Sequence, residues 1–403
     1  MSLRQQLPVH SPITLAGLSR AAVAAAIGPR ARLREVAGTL RKAYATPRVL
    51  LTDSGTSALV LALRLAVGKG NAVAIPGYAC FDVAAAVRFA KTKARIYDVD
   101  PNTLSPDLDS LDAALRRGVS AVLVAHLYGY PVDLYGVLEL ARRYGVPVVE
   151  DAAQGIGATY DGHPLGTFGA LSVLSFGRGK GVTGGRGGAL LVNDDRFDGA
   201  AADAATVLGT PRHGWSELFV STAQWILGRP WAYGVPSRIP WLHLGETVYH
   251  AAHEPRSMSV VAATLVQRAP EQSAQRRRVA DVLARAVEEG GAVGAVAVVD
   301  KARPGYLRYA IIDSGLRSPR PDLGVLRGYP KNLADLESLR PSLVGGDDPT
   351  PGVARLTRAL FTVPTHALVR SSDLEQIIEW LRIPARLVVD PSARSRSLDA
   401  AER

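Results

Sequence analysis

Cysteine is almost missing from the 403-residue chain, with Cys80 standing alone. A single thiol cannot form an internal disulfide. That excludes a disulfide-stapled secreted scaffold and points to a reducing, cytoplasmic setting. Long apolar runs are missing too. No stretch approaches the roughly 18 residues that a membrane span requires. The apolar segment from Ala21 to Ile27 is short and flanked by Arg20, Pro29 and Arg30, so it does not read as a secretory signal. No repeat of fixed period is evident. Acidic residues are outnumbered, 37 Asp and Glu against 47 Lys and Arg, giving a formal net charge of +10. Such an excess fits an arginine-rich surface equally well as a taste for anionic ligands. Nucleic acid is not expected as a partner, because no recognition motif accompanies the charge. No metal site is expected either.

What is present suits a globular protein: 47% hydrophobic and 21% charged residues. The length calls for more than one packed unit. Residues 1–46 carry helical patterning. From residue 48 short apolar runs alternate with amphipathic helices. Strands are expected at Arg48 to Thr52, Asn71 to Ile75, Lys93 to Val99, Ala121 to His126 and Pro147 to Asp151. The intervening helices are Thr56 to Val67, Phe81 to Phe89, Leu108 to Arg117 and Leu134 to Tyr144. This alternation predicts an α/β unit with a mostly parallel sheet flanked by helices. Two further strands, Leu171 to Phe176 and Ala189 to Val192, have no helix between them, so at least one strand is expected to run antiparallel.

A large α/β unit is therefore expected over 47–250. It includes an insertion at 211–247 that holds Trp215, Trp225, Trp231 and Trp241. Aromatics of this density read as a packed lid or dimer contact, with a membrane-surface contact as the alternative. Residues 251–390 read as a long linking helix, Val260 to Glu288, followed by a small α+β unit. That unit has strands at Val293 to Val299 and Tyr306 to Ile312 and helices near 350–360 and 370–382. The tail 391–403 is polar and reads as disordered.

Three segments carry chemistry. The first is SFGRGKGVTGGRGG at 175–188, which sets Lys180 between glycines directly after an apolar strand. Glycines let backbone approach a ligand, and a partly desolvated lysine is a nucleophilic amine. A Walker loop is excluded, because Leu174 stands where its first glycine belongs and Gly181 replaces the Ser/Thr. The G-x-G-x-x-G at 179–184 is followed by a strand rather than a helix, so it lacks the dinucleotide-binding context. The second segment is VEDAAQGIG at 149–157. A carboxylate there, Asp151, ends a buried strand, where α/β sheets bind ligands. The third is DSGTSAL at 53–59, a strand-to-helix turn whose free N–H groups favour a phosphate. Each has an ordinary reading as well: a solvated glycine loop, a surface carboxylate, a plain N-cap. Their order is what distinguishes them.

In that order the chain resembles the DegT/StrS sugar aminotransferases, which are fold-type-I pyridoxal-phosphate (PLP) enzymes. The resemblance is carried by SGTSALVLAL at 54–63, IPGYACFDVAAAV at 75–87, YDVDPNTLSPDLDSL at 97–111 and HLYGYPVDL at 126–134. It continues through VVEDAAQGIGATYDGHPLGTFG at 148–169 and LSFGRGKGVTGGRGGALLV at 174–192, and more weakly through 256–266 and 360–369. The resemblance implies a seven-stranded-type sheet with a smaller C-terminal α+β domain. It also implies Lys180 as the Schiff-base lysine, Asp151 as partner of the pyridine nitrogen and Gln154 as partner of the ring hydroxyl. Gly55, Thr56, Ser57 and Ser175 match the phosphate site. A homodimer is implied as well. The implied reaction moves an amino group from an amino acid, glutamate in this reading, to a keto-sugar that is nucleotide-linked, with Lys180 shuttling the proton.

This chain departs from the family pattern at several positions. Cys80 occupies the place of the usual ring-stacking aromatic. Arg186 replaces a glutamate after the lysine. His253, Glu254 and Pro255 precede Arg256 where the family has an asparagine. Relatives that act as dehydratases carry histidine in place of the lysine, and Lys180 argues against that activity. A different ketone substrate, or a non-catalytic PLP-binding role, are the alternatives these departures leave open.

Overall fold

Strand-forming and helix-forming segments alternate from residue 48 onward, and the computed structural model, which describes residues 4–28, 31–239, 247–267, 272–313, 317–345 and 348–383, follows that alternation. Strands β1 (Arg48–Thr52), β2 (Ala72–Pro76), β3 (Lys93–Tyr97), β4 (Ala121–Ala125), β5 (Val148–Asp151), β6 (Leu171–Ser175) and β7 (Gly188–Val192) form one seven-stranded sheet. Their order is β1–β7–β6–β5–β4–β2–β3. Neighbours from β6 to β3 are parallel, and β7 alone is antiparallel to both of its neighbours. The cause is the connection: a glycine loop without a helix joins β6 to β7, too short for a crossover, so the chain can only fold back.

Burial alternates along the strands. In β4, Ala121 and Leu123 face one core while Val122 and Val124 face the other. Helices α3 (Gly55–Ala66) and α4 (Phe81–Ala90) cover the first face; α5 (Leu108–Arg116) and α6 (Leu134–Arg143) cover the second. Each fully buried Val or Leu contributes roughly 1.5–3 kcal/mol. Ser54, Asp107 and Asp133 cap α3, α5 and α6 by accepting a hydrogen bond from the N–H of Ser57, Ser110 and Gly136. The crossovers thus start at fixed points, and the C-terminal ends of the parallel strands lie together at one edge of the sheet.

Four antiparallel strands build a second sheet in the order Gly294–Ala295, β8 (Arg308–Ile312), β9 (Leu360–Pro364), Leu326–Arg327. The strand expected over Val293 to Val299 shrinks to Gly294–Ala295, and β9 was not anticipated as a strand at all. The helix expected from Val260 to Glu288 is two helices, Val260–Gln267 and Ser273–Gly290, with 268–271 outside the described residues. In the insertion, Trp215–Leu227 is helical and packs on Leu15–Ile27 and Val260–Gln267. Trp225 is part-buried there, while Trp215 and Trp231 are exposed. Trp241 and the tail 391–403 lie outside the described residues.

Candidate active site

The turn after β1 forms the first wall. Ser54 is extended, and its Oγ accepts the N–H of Ser57 at 3.0 Å and lies 2.9 Å from the Ser57 hydroxyl. Gly55 and Thr56 then open α3 with N–H groups that the helix itself cannot satisfy. Ser175, at the end of β6, closes on this turn. A Cβ at Gly55 would lie 2.6 Å from Ser175 Cβ and 2.8 Å from its Oγ, so only glycine fits. A cavity of about 450 Å³ opens here, with Gly55, Thr56, Ser57, Ser175, Lys180 and Arg186 in its walls.

The lysine loop is tied on both sides. Phe176 donates to the Gly187 carbonyl (2.8 Å), Gly184 to the Phe176 carbonyl (2.9 Å) and Gly187 to the Asp53 carbonyl (3.0 Å). Ser11, far upstream in the chain, holds the lysine segment itself: its Oγ accepts from Gly179 N (2.9 Å) and donates to the Lys180 carbonyl (3.0 Å). Gly185 has φ +77°, and a Cβ on it would stand 2.1 Å from Ser221 Oγ, so the insertion helix presses directly on the loop.

The two carboxylates at the end of β5 part company, as strand periodicity requires. Glu150 is fully buried and structural. It accepts from the N–H groups of Phe168 (3.0 Å) and Gly169 (2.9 Å) and pairs with His126 Nε2 at 3.0 Å. Burial alone would raise its pKa, but His126 and the backbone donors outweigh that and hold it below its ordinary value. Asp151 takes the opposite environment. It accepts from Ala153 N (3.0 Å), and burial raises its pKa against the pull of the Lys180 ammonium.

A second cavity, about 190 Å³, joins Lys180 to Cys80, Gln154, Tyr128 and Tyr329. Gln154 is fixed at both ends: its Oε1 accepts from Tyr128 N (3.0 Å) and its Nε2 donates to the Tyr329 hydroxyl (2.8 Å). Tyr128 and Tyr329 stack with centroids 5.5 Å apart. Cys80 lies at the start of α4, its Sγ 3.5 Å from Asp82 Oδ2. Burial, reinforced by Asp82, pushes its thiol up to about 12. Seven of the eight residues singled out in the sequence thus line two adjoining cavities; Asp151 lines neither, and meets the site through its electrostatic interaction with Lys180 and Cys80. Ser11, His126 and Tyr329 were not anticipated, nor was Arg308, which also lines the smaller cavity. Tyr128 lay inside a matched stretch, but nothing local marked it.

Comparison with known proteins bears on this arrangement. Over 143 residues the chain is 39% identical to the L-glutamine:2-deoxy-scyllo-inosose aminotransferase of Streptomyces kanamyceticus, covering 35% of this chain and 34% of that protein. It is 36% identical over 143 residues to the UDP-N-acetyl-3-dehydro-alpha-D-glucosamine 3-aminotransferase of Acidithiobacillus ferrooxidans, covering 35% and 39%. The matches span only about a third of the length of these curated relatives. In fold, a Streptococcus pneumoniae protein assigned as a sugar aminotransferase, solved in PLP and PMP forms, superposes with a TM-score of 0.71. It shares 17% identity in the PMP form and 18% in the PLP form, with 93% of this chain and 97% of that chain covered. The family model of the DegT/DnrJ/EryC1/StrS aminotransferases matches residues 26–240, more than half of the chain, and this protein accordingly belongs to the DegT/DnrJ/EryC1/StrS aminotransferase family.

Proposed function

We propose that this protein is an aminotransferase that uses PLP to move an amino group from an amino acid, L-glutamate in our reading, to a keto-sugar, and that the sugar is nucleotide-linked. The observation that carries the proposal is the cavity that brings Lys180 against a helix N-terminus with free donors, with Asp151 at the end of β5, a carboxyl whose pKa burial raises against the pull of the Lys180 charge. Such a carboxyl is stabilised by a protonated nitrogen placed against it. The residues therefore fit PLP. Gly55, Thr56, Ser57 and Ser175 would hold its phosphate, Asp151 its ring nitrogen and Gln154 its ring hydroxyl.

When bound, PLP supplies an electron-withdrawing ring that acidifies the donor's Cα–H. Asp151 keeps the proton on the ring nitrogen. Gln154 offers one amide N–H while the other stays on Tyr329. Lys180, its backbone pinned by Ser11, takes the proton from the donor carbon and returns it, a role worth about 10²–10⁴-fold in rate. The two relatives named above act, by their names, on a cyclitol ketone and on a UDP-linked sugar. The exposed Arg178 and Arg186 at the rim of the larger cavity favour the nucleotide-linked acceptor, whose diphosphate they would meet. We further propose a homodimer and a cytoplasmic setting. Among the described residues no helix is long and apolar enough to cross a membrane.

The test is the visible spectrum of protein incubated with PLP. The wild type is expected to show a lysine-bound cofactor band that glutamate bleaches, and Lys180→Ala to show neither. A wild type without the band ends the PLP reading. A band that no amino acid bleaches would favour a non-catalytic role.

A further inference from the structure

Residues 4–13 belong to no helix or strand, yet none of them is exposed. Chain without regular structure ordinarily runs over the surface, because its backbone groups need partners. Here the partners come from three separate parts of the molecule. The first is the second sheet and its helices. Arg4 grips the buried carboxylate of Asp373, in the first turn of helix Ser371–Arg382, through bonds of 2.5 and 2.6 Å. Gln6 is fully buried. Its N–H donates to the Asp322 carbonyl (2.8 Å) and its Nε2 to the Leu368 carbonyl (2.8 Å). The Leu7 carbonyl accepts from His366 Nε2 (2.9 Å), and a Cβ at Gly324, whose φ is +72°, would lie 2.6 Å from the same oxygen. The segment is thus seated too closely for any other residue at that point.

The second partner is the insertion: Gln5 N–H donates to the Pro230 carbonyl (2.8 Å), and the Ser237 hydroxyl donates to Gln5 Oε1 (2.6 Å). The third is the lysine loop. A single hydroxyl, that of Ser11, serves both the Gly179 N–H and the Lys180 carbonyl, and no other hydrogen bond reaches either group among the described residues. Beyond the lysine, Arg276 Nη2 holds the Gly181 carbonyl (3.2 Å). Between its two tied ends the segment passes the smaller cavity, which Val9 lines together with Lys180.

We propose that residues 4–11 are a strap that sets the position of Lys180, with Ser11 as the positioning residue and the Arg4–Asp373 pair as the far anchor. The proposal rests on the PLP reading above for what the lysine does, and adds that the second sheet governs where the lysine stands. The chemistry asks for such a device. A lysine that holds a cofactor at one stage and moves a proton at another needs a fixed Cα while its side chain swings. Glycines on both sides of Lys180 leave its backbone free to turn, so the loop cannot supply that fixity itself. A strap with its own partners in two neighbouring parts of the molecule can.

The experiment has two arms. In the first, made without cofactor, hydrogen exchange is followed by mass spectrometry in segments holding Gln5–Leu7 and Gly179–Gly181, with β4 as control. Arg4→Gln is expected to speed exchange in both segments roughly 10-fold, as for a weakened charge-assisted bond, and to leave β4 unchanged. A lysine segment that stays protected while residues 5–7 exchange freely, in either protein, overturns the proposal. In the second arm the proteins are loaded with PLP. Ser11→Ala is expected to form the cofactor band, to release PLP roughly 10-fold faster, and to shift the pH midpoint of the band, which reports the setting of the lysine nitrogen. Ser11→Thr keeps the hydroxyl and should return both readings toward the wild type. Arg4→Gln should move them in the same direction by less, and carries this arm alone if Ser11→Ala does not fold. A lower melting temperature with wild-type release rate and midpoint overturns the proposal, because the strap would then only stabilise the fold. If the wild type forms no cofactor band, the aminotransferase reading fails separately, and the exchange arm still decides the strap.

Discussion

Among single residues, the contact between Gly55 and Ser175 is a tight constraint on the site. It joins the start of α3 to the end of β6, two segments that the sequence separates by more than a hundred residues. Gly55→Ala would drive a methyl group to 2.6 Å from Ser175 Cβ and 3.3 Å from its Cα, so backbone must move. We expect a destabilisation of about 1–3 kcal/mol and a weaker grip on PLP, read by denaturant unfolding and by cofactor titration. The double variant Gly55→Ala, Ser175→Gly vacates the space and should recover most of the stability. Additive losses in the cycle would show that the two positions do not share the contact. Gly55 was legible in the sequence because a small-residue turn between strand and helix has a local signature. Arg308 was not. In YLRYAII, at 306–312, an arginine reads as the solvated side of a strand; its burial depends on two sheets meeting, which no local pattern records.

At the scale of elements, β5 does two jobs with adjacent carboxylates. Asp151 interacts with the Lys180 charge, while Glu150 knits β5 to the turn at 166–169 and, through His126, to the end of β4. Glu150→Gln keeps the shape but removes the charge that these donors converge on. We expect a loss of about 3–5 kcal/mol, the range for breaking a buried pair, checked by thermal or denaturant unfolding. The pH dependence has a definite sign. Glu150 titrates lower in the folded chain than in the unfolded one, so its stabilisation is complete above the ordinary glutamate pKa and is lost as pH falls through the lower folded value. The wild type should therefore lose stability on acidification more steeply than Glu150→Gln does, and parallel curves would show that Glu150 is not the group responsible. The parallel strands were legible because each is fenced by turn residues and followed by a capped helix. β9 was missed because it begins at Leu360 directly after helix Pro351–Ala359, with no turn residue between them, so the helical period hides the change to extended chain. An antiparallel strand was expected in this part of the sheet, because no helix lies between β6 and β7, and it is β7 that is reversed.

At the scale of the whole molecule, apolar side chains stand in water where helices Leu15–Ile27 and Trp215–Leu227 pack together. Ile27 is 72% exposed, Phe219 76% and Trp215 57%, with Leu15 and Val23 close to them in value. Monomers rarely keep such a face uncovered. Its position decides what we expect to cover it. Val220 is exposed on the same helix and also lines the larger cavity, so the face continues into the rim of the proposed site. A second copy of the chain seated there would bury the aromatics and close the cavity in one step, which is the homodimer proposed above. Light scattering should then give about twice the 42.7 kDa chain mass. The pair Trp215→Glu and Phe219→Glu should shift the protein toward the monomer and weaken PLP binding together, because both depend on the same contact. A protein that stays monomeric and instead floats with anionic vesicles, losing that property in the same variant, would assign the face to a membrane surface. Dimers that survive the substitutions would place the subunit contact elsewhere and leave the tryptophan helix as a lid on its own site.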